Sequence, residues 1–81
     1  ISRIIVVTQS SVTHKRLGDL AAFHQHDFTL TRLSRAGVEM VPHGDIILQL
    51  GDHIKVVGTK EGVEQIAKVV GNEMKRLDVP D

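Results

Sequence analysis

The sequence predicts an α+β domain: a small β-α-β-β-β-α sandwich with helices packed on one face of a mainly antiparallel sheet. Three observations carry this. A β-branched run, Arg3-Ile4-Ile5-Val6-Val7-Thr8, opens the chain. Two extended stretches then flank the small turn Ala36-Gly37, and a strongly periodic helix closes the pattern. At 81 residues the chain holds one core, because independent cores usually need roughly 50–100 residues or more each.

The elements follow in order. The first run is nearly continuous in β-branched residues and reads as a strand buried on both faces. Gln9-Ser10-Ser11 is loop. Thr13 is placed as the N-cap of a short helix carrying Leu17, Leu20 and Ala21, weakened by Gly18 and fading near Phe23–His26. Phe28–Arg35 is a strand with partial alternation, and Val38-Glu39-Met40-Val41 is its hairpin partner. Pro42-His43-Gly44-Asp45 is turn chemistry, Ile46–Leu50 a short apolar stretch, Gly51-Asp52 a second turn, and His53–Gly58 the last strand. Thr59 caps the clearest helix, in which Val63, Ile66, Ala67 and Val70 recur at i, i+3, i+4 and i+7, with Gly71 as its stop. Residues 1–72 form the domain, and the polar stretch 73–81 reads as a linker.

Composition excludes several functions. Ten Lys and Arg balance ten Asp and Glu, so the electrostatic footprint of a nucleic-acid binder is missing. Only Phe23 and Phe28 are aromatic, and there is no Cys, which removes disulfides, thiolate metal sites and Cys nucleophiles together. No apolar run approaches the roughly 20 residues of a membrane helix, and no signal-peptide pattern is present. The chain starts at Ile1 and enters a strand at once, as expected of a domain cut from a longer protein.

Candidate chemistry is sparse. His24-Gln25-His26 invites a metal, but no Cys or suitably spaced carboxylate joins it, and it reads as a solvated helix terminus. Serines 10, 11 and 34 lie in no nucleophile elbow, and Asp45 and Asp52, each after Gly, read as turn residues. The glycines form no phosphate cradle. We therefore expect no catalytic residues, no metal and no cofactor. Arg32 and Arg35 are the best anion-contacting candidates, against the alternative of a charged, soluble strand edge. A small aliphatic domain can also retain apolar surface for a second copy of itself.

The passage Thr31–Pro42, followed by Gly44–Gly58, resembles the TrkA-C (RCK-C) domain family. That family's passage D-x-x-L-x-x-G-D-x-x-x-V-x-G is met by Asp45, Leu48, Gly51, Asp52, Val56 and Gly58, and the likeness spans roughly residues 3–71. Leu17-Gly18-Asp19-Leu20 resembles the family's short helix. Leu30–Val41 and Val69-Val70-Gly71-Asn72 are most similar to the second such domain of predicted aspartate:alanine exchangers. The resemblance implies a cytoplasmic, non-enzymatic domain between the halves of a multi-pass membrane transporter, acting as a homodimer. Its gating would respond to a small-molecule or nucleotide ligand, and the Lys75–Asp81 tail would lead back to the membrane. In relatives that bind cyclic dinucleotides, the matching pocket positions here are Phe23, Thr29, Leu30, Pro42 and His43, with Arg32 a further candidate. Phe23 stands where a basic residue is usual, and His26-Asp27 where an aromatic-Gly pair is.

Overall fold

The computed structural model describes residues 1–25 and 27–73. Its strands are β1 (Ser2–Val7), β2 (Phe28–Arg35), β3 (Val38–Met40), β4 (His53–Gly58) and β5 (Gly71–Glu73), and its helix is α1 (Lys60–Val70). They form one antiparallel sheet in the order β3-β2-β4-β1-β5. The α+β expectation holds, with α1 against one face. Val63, Ile66, Ala67 and Val70 of α1 meet Ile5, Val7, Ile54 and Val56 of the sheet in a buried aliphatic core. At the start of α1, the Thr59 hydroxyl accepts the Gly62 N–H at 3.0 Å, as its cap position requires.

The β2–β3 hairpin turns at Ala36 (φ 52°) and Gly37 (φ 82°). Two successive positive φ values match the right-handed twist of the flanking strands. Within β2, the register slips between Leu30 and Arg32, so that Leu30 faces Val56 but Arg32 faces Lys55. This bulge at Thr31 explains the partial alternation: Phe28, Leu30 and Leu33 share the core side although their spacing changes from two to three.

Three expectations change. The helix placed after Thr13 is instead two single 3-10 turns, Leu17–Asp19 and Ala21–Phe23, and a third, Ser10–Val12, precedes Thr13 where the sequence reads as loop. The N–H groups of Leu17 and Gly18 donate to the carbonyls of Ile46 (2.7 Å) and Gly44 (2.9 Å) rather than back along a helix. Thr13 caps nothing with its side chain, and its hydroxyl donates to the Ser10 carbonyl at 2.7 Å. The first strand is also one-sided: Ile5 and Val7 are buried while Ile4 and Val6 remain half-exposed, because α1 covers a single face. Finally, Gly71 ends α1 as expected but also begins β5, which pairs with β1 from Val7 to Ile5. A Cβ on Gly71 would overlap the Val6 carbonyl oxygen, so only glycine lets the chain fold back against β1 this closely. Of the expected linker 73–81, residues 74–81 lie outside the described residues.

The long loop between β3 and β4 is fastened from within. Leu48 is fully buried and Ile46 nearly so, while Ile47 between them forms one bridge to Arg16. The Arg35 guanidinium, at the end of β2, grips the Asp52 carboxylate through two bonds, Nε to Oδ1 at 3.0 Å and Nη2 to Oδ2 at 2.8 Å. Arg35 Nη2 also donates to the Ile47 carbonyl (2.9 Å), and the Gln49 N–H donates to Asp52 Oδ2 (2.9 Å). Burial by itself pushes the Asp52 carboxyl up, but the bonds from Arg35 and Gln49, with the nearby charge of Arg35 and His53, outweigh it and hold the group below the usual carboxylate range.

Two outcomes follow. Leu48→Ala should cost about 2–5 kcal/mol in urea denaturation, by opening a cavity under the loop. Arg35→Met should cost about 3 kcal/mol at neutral pH, because it leaves a buried carboxylate without its cation. The folded-state pKa of Asp52 is depressed, so its contribution is present above the unfolded value of about 3.9 and disappears as the pH falls below it. The stability gap between wild type and Arg35→Met should therefore close in acid, and a gap that widens there would contradict this account.

Candidate functional site

The stitching of Leu17 and Gly18 to the loop at Gly44–Ile46 creates a groove. Gly18 and Gly44 run so close that a Cβ on Gly18 would lie 3.2 Å from the Gly44 carbonyl oxygen, which explains the glycine that seemed to weaken a helix. Around this seam an open groove of about 310 Å³ forms. One wall is the 3-10 region, with Leu17, Gly18, Phe23 and His24; the floor is the start of β2, with Phe28, Thr29 and Leu30; the far wall is the turn Pro42, His43 and Gly44. Phe23 stands edge-on to Phe28, with ring centroids 6.3 Å apart and planes at 78°, so the chain's two aromatic residues brace one end.

Polar groups at the rim are few. His24 Nε2 donates to the Gly18 carbonyl at 2.7 Å, and the Asp45 N–H donates to His43 Nδ1 at 3.3 Å. Outside the rim, Arg16 lies 3.2 Å from Asp19 and 3.7 Å from Asp45, an exposed ion-pair bridge between the two walls. Such exposed pairs contribute little stability and are readily exchanged for water. Apolar surface, two aromatic rings and a sparse polar rim suit an organic ligand better than bond-breaking chemistry.

The structure brings Phe23, Thr29, Leu30, Pro42 and His43 together in this groove. Arg32 is elsewhere. Counting by twos from Leu30 would put it on the same face, but the bulge at Thr31 turns it to the open side of the sheet. There it faces Lys55 and pairs with Glu39 at 3.4 Å. Arg35, the other anion-contacting candidate, is committed to Asp52. Asp45 and Asp52 do not converge: the first is exposed, the second buried under Arg35. Of the His24-Gln25-His26 run, His26 lies outside the described residues. Among the described residues no group of three or more His, Asp or Glu side chains could hold a metal ion. Sequence reasoning missed Leu17, Gly18, His24, Phe28 and Gly44 as groove residues. Leu17 reads as a residue of a short helix, Phe28 as the start of a strand and Gly44 as a turn, and only the Gly18–Gly44 approach shows why these segments meet.

Known proteins agree with this architecture. The family model of the TrkA-C domain matches residues 1–71. An uncharacterized transporter of Bacteroides thetaiotaomicron is 38% identical over 81 residues, covering 100% of this chain and 15% of the relative. One from Porphyromonas gingivalis is 41% identical over 80 residues, covering 99% and 14%. The chain thus spans about 15% of the length of the curated relatives it matches. A solved RCK domain with cda superposes with a TM-score of 0.76 at 28% identity, over 85% of this chain and 96% of that one. The RCK_C domain dimer of S. agalactiae BusR in complex with c-di-AMP gives 0.71 at 25% identity, over 83% and 85%. No helix among the described residues is long and apolar enough to cross a membrane. With its sheet order, its one-sided helix and a family match over residues 1–71, the chain belongs to the TrkA-C domain family.

Proposed function

We propose that this chain is a cytoplasmic, non-enzymatic regulatory domain of a multi-pass membrane transporter, and that it senses a small ligand while paired with a second copy of itself. The observation that carries this reading is the groove. Three separate segments, the 3-10 region, the start of β2 and the turn after β3, close around it. Its mix of aromatic, aliphatic and imidazole groups suits a nucleotide-like molecule with a ring to bury and an anion to place. The superposed BusR domain is a dimer in complex with c-di-AMP, which makes a cyclic dinucleotide the first ligand to test. Exposed apolar side chains at Val38, Val41 and Leu50 (62%, 79% and 61% exposed) offer surface for a second copy.

Gating then follows from differential affinity. A ligand that touches loops on both sides of a groove favours whichever arrangement of the dimer holds those loops at binding distance, and only that difference can move the transporter. The membrane halves of the same chain would be the receivers.

The 81-residue chain should sediment as a dimer at tens of micromolar. Cyclic di-AMP at roughly one hundred times its dissociation constant should stabilise the fold by about 2.7 kcal/mol in a thermal-unfolding assay. Thr29→Glu places a negative charge on the exposed groove floor and should abolish that stabilisation without unfolding the domain. A monomer that responds to no nucleotide, amino acid or divalent cation would instead be a structural connector between membrane halves.

A further inference from the structure

Among the described residues, the groove lining includes no Lys, Arg, Asp or Glu, and His24 and His43 are its ionisable side chains. The charged groups on the surrounding elements are otherwise directed. Arg16 bridges Asp19 and Asp45, Asp27 lies on the α1 side beside Gly62, and Arg32 and Lys55 occupy the open face of the sheet. His26 is outside the described residues.

The two imidazoles differ in what a second proton would do to them. A carbonyl oxygen only accepts, so in the 2.7 Å contact with Gly18 the hydrogen is on His24 Nε2. His24 therefore gains its second proton on Nδ1, and the bond to Gly18 is kept and strengthened when the ring is charged. His43 has the reverse polarity. Its Nδ1 accepts from the Asp45 N–H, which places the ring hydrogen on Nε2. A proton on His43 Nδ1 would set two donors against each other and release the Pro42–Asp45 turn from the ring.

From this asymmetry we infer that the groove holds the anionic part of its ligand through a proton taken up on His24, with His43 donating from Nε2. The ligand class is a fixed anion such as a phosphate diester, attached to a ring system that packs on Phe23 and Pro42. Binding is consequently coupled to pH, because the groove acquires its cation only by protonation. An arginine or lysine in the same place would bind the anion at any physiological pH; His24 makes the response conditional on acidity. The domain would thus report a ligand most strongly when the surrounding solution is acid.

The inference rests on the groove being the ligand site, and the test separates the two. Cyclic di-AMP is a suitable probe because its phosphodiesters keep their charge across the range, so any pH dependence belongs to the protein. Isothermal titration of the 81-residue chain at about pH 5.5 and about pH 8 should give affinity roughly tenfold or more tighter in acid. Net proton uptake should appear when the titration is repeated in buffers of different ionisation enthalpy. His24→Gln should flatten the pH dependence, whereas His43→Gln should weaken binding by a similar factor at both pH values. Both positions are exposed, and circular dichroism at the two pH values confirms that each variant is folded. Equal wild-type affinity at both pH values, or a pH dependence that survives His24→Gln, overturns the inference and leaves the groove as the ligand site. No binding at either pH removes the site reading, and the inference with it.

Discussion

The paired contact of the Arg35 guanidinium with the buried Asp52 carboxylate is the constraint on which the far side of the domain depends. Arg35 ends β2, and Asp52 stands just before β4; the same guanidinium reaches the Ile47 carbonyl, and the same carboxylate takes the Gln49 N–H. The Asp52 backbone adds a tie to β1, whose Val7 N–H donates to the Asp52 carbonyl at 2.8 Å. One ion pair therefore joins two strands and the loop between β3 and β4. An ion pair this enclosed adds little net stability over an apolar substitute, but it tolerates few geometries, and that selectivity sets where the loop lies.

The groove is a consequence of that placement. With Ile47 and Gln49 held by the pair, and Ile46 and Leu48 sunk into the core, the preceding turn is brought beside the 3-10 region. The carbonyls of Gly44 and Ile46 then face Gly18 and Leu17 and replace the partners a helix would have supplied. Two short, irregular segments become walls because each satisfies the other's backbone. The walls of this groove are joined mainly by two backbone bonds and an exposed Arg16 bridge rather than by regular structure.

Much of the fold was legible because it rests on local patterns. The period of Val63, Ile66, Ala67 and Val70, the Thr59 cap, the Ala36-Gly37 turn and the β-branched first strand each report short-range physics, and α1, the hairpin and β1 appear where those patterns point. The failures have non-local causes. The helix after Thr13 gave way because the carbonyls of Gly44 and Ile46, more than twenty residues away, offered Leu17 and Gly18 better partners. β5 was hidden because three residues of polar sequence become a strand only when an edge of β1 is open beside them. Five of the six candidate residues line the groove. Arg32 does not, because the bulge that reverses its face depends on pairing with β4 and has no signature in the β2 sequence alone.

The sequence by itself determined the α+β class, the helix and its cap and the main hairpin, since each depends on composition or on residues within a turn or two of one another. Its Asp45-to-Gly58 passage also carried the family likeness. Tertiary structure alone decided that Asp52 would be buried rather than lie in a solvated turn, that the region after Thr13 would be 3-10 turns rather than a helix, and which of the histidines would face a groove. The reason is common to all three. A side chain's partner, and hence its protonation, is chosen by whatever the folded chain brings within about 3 Å, and no spacing along the sequence specifies that distance.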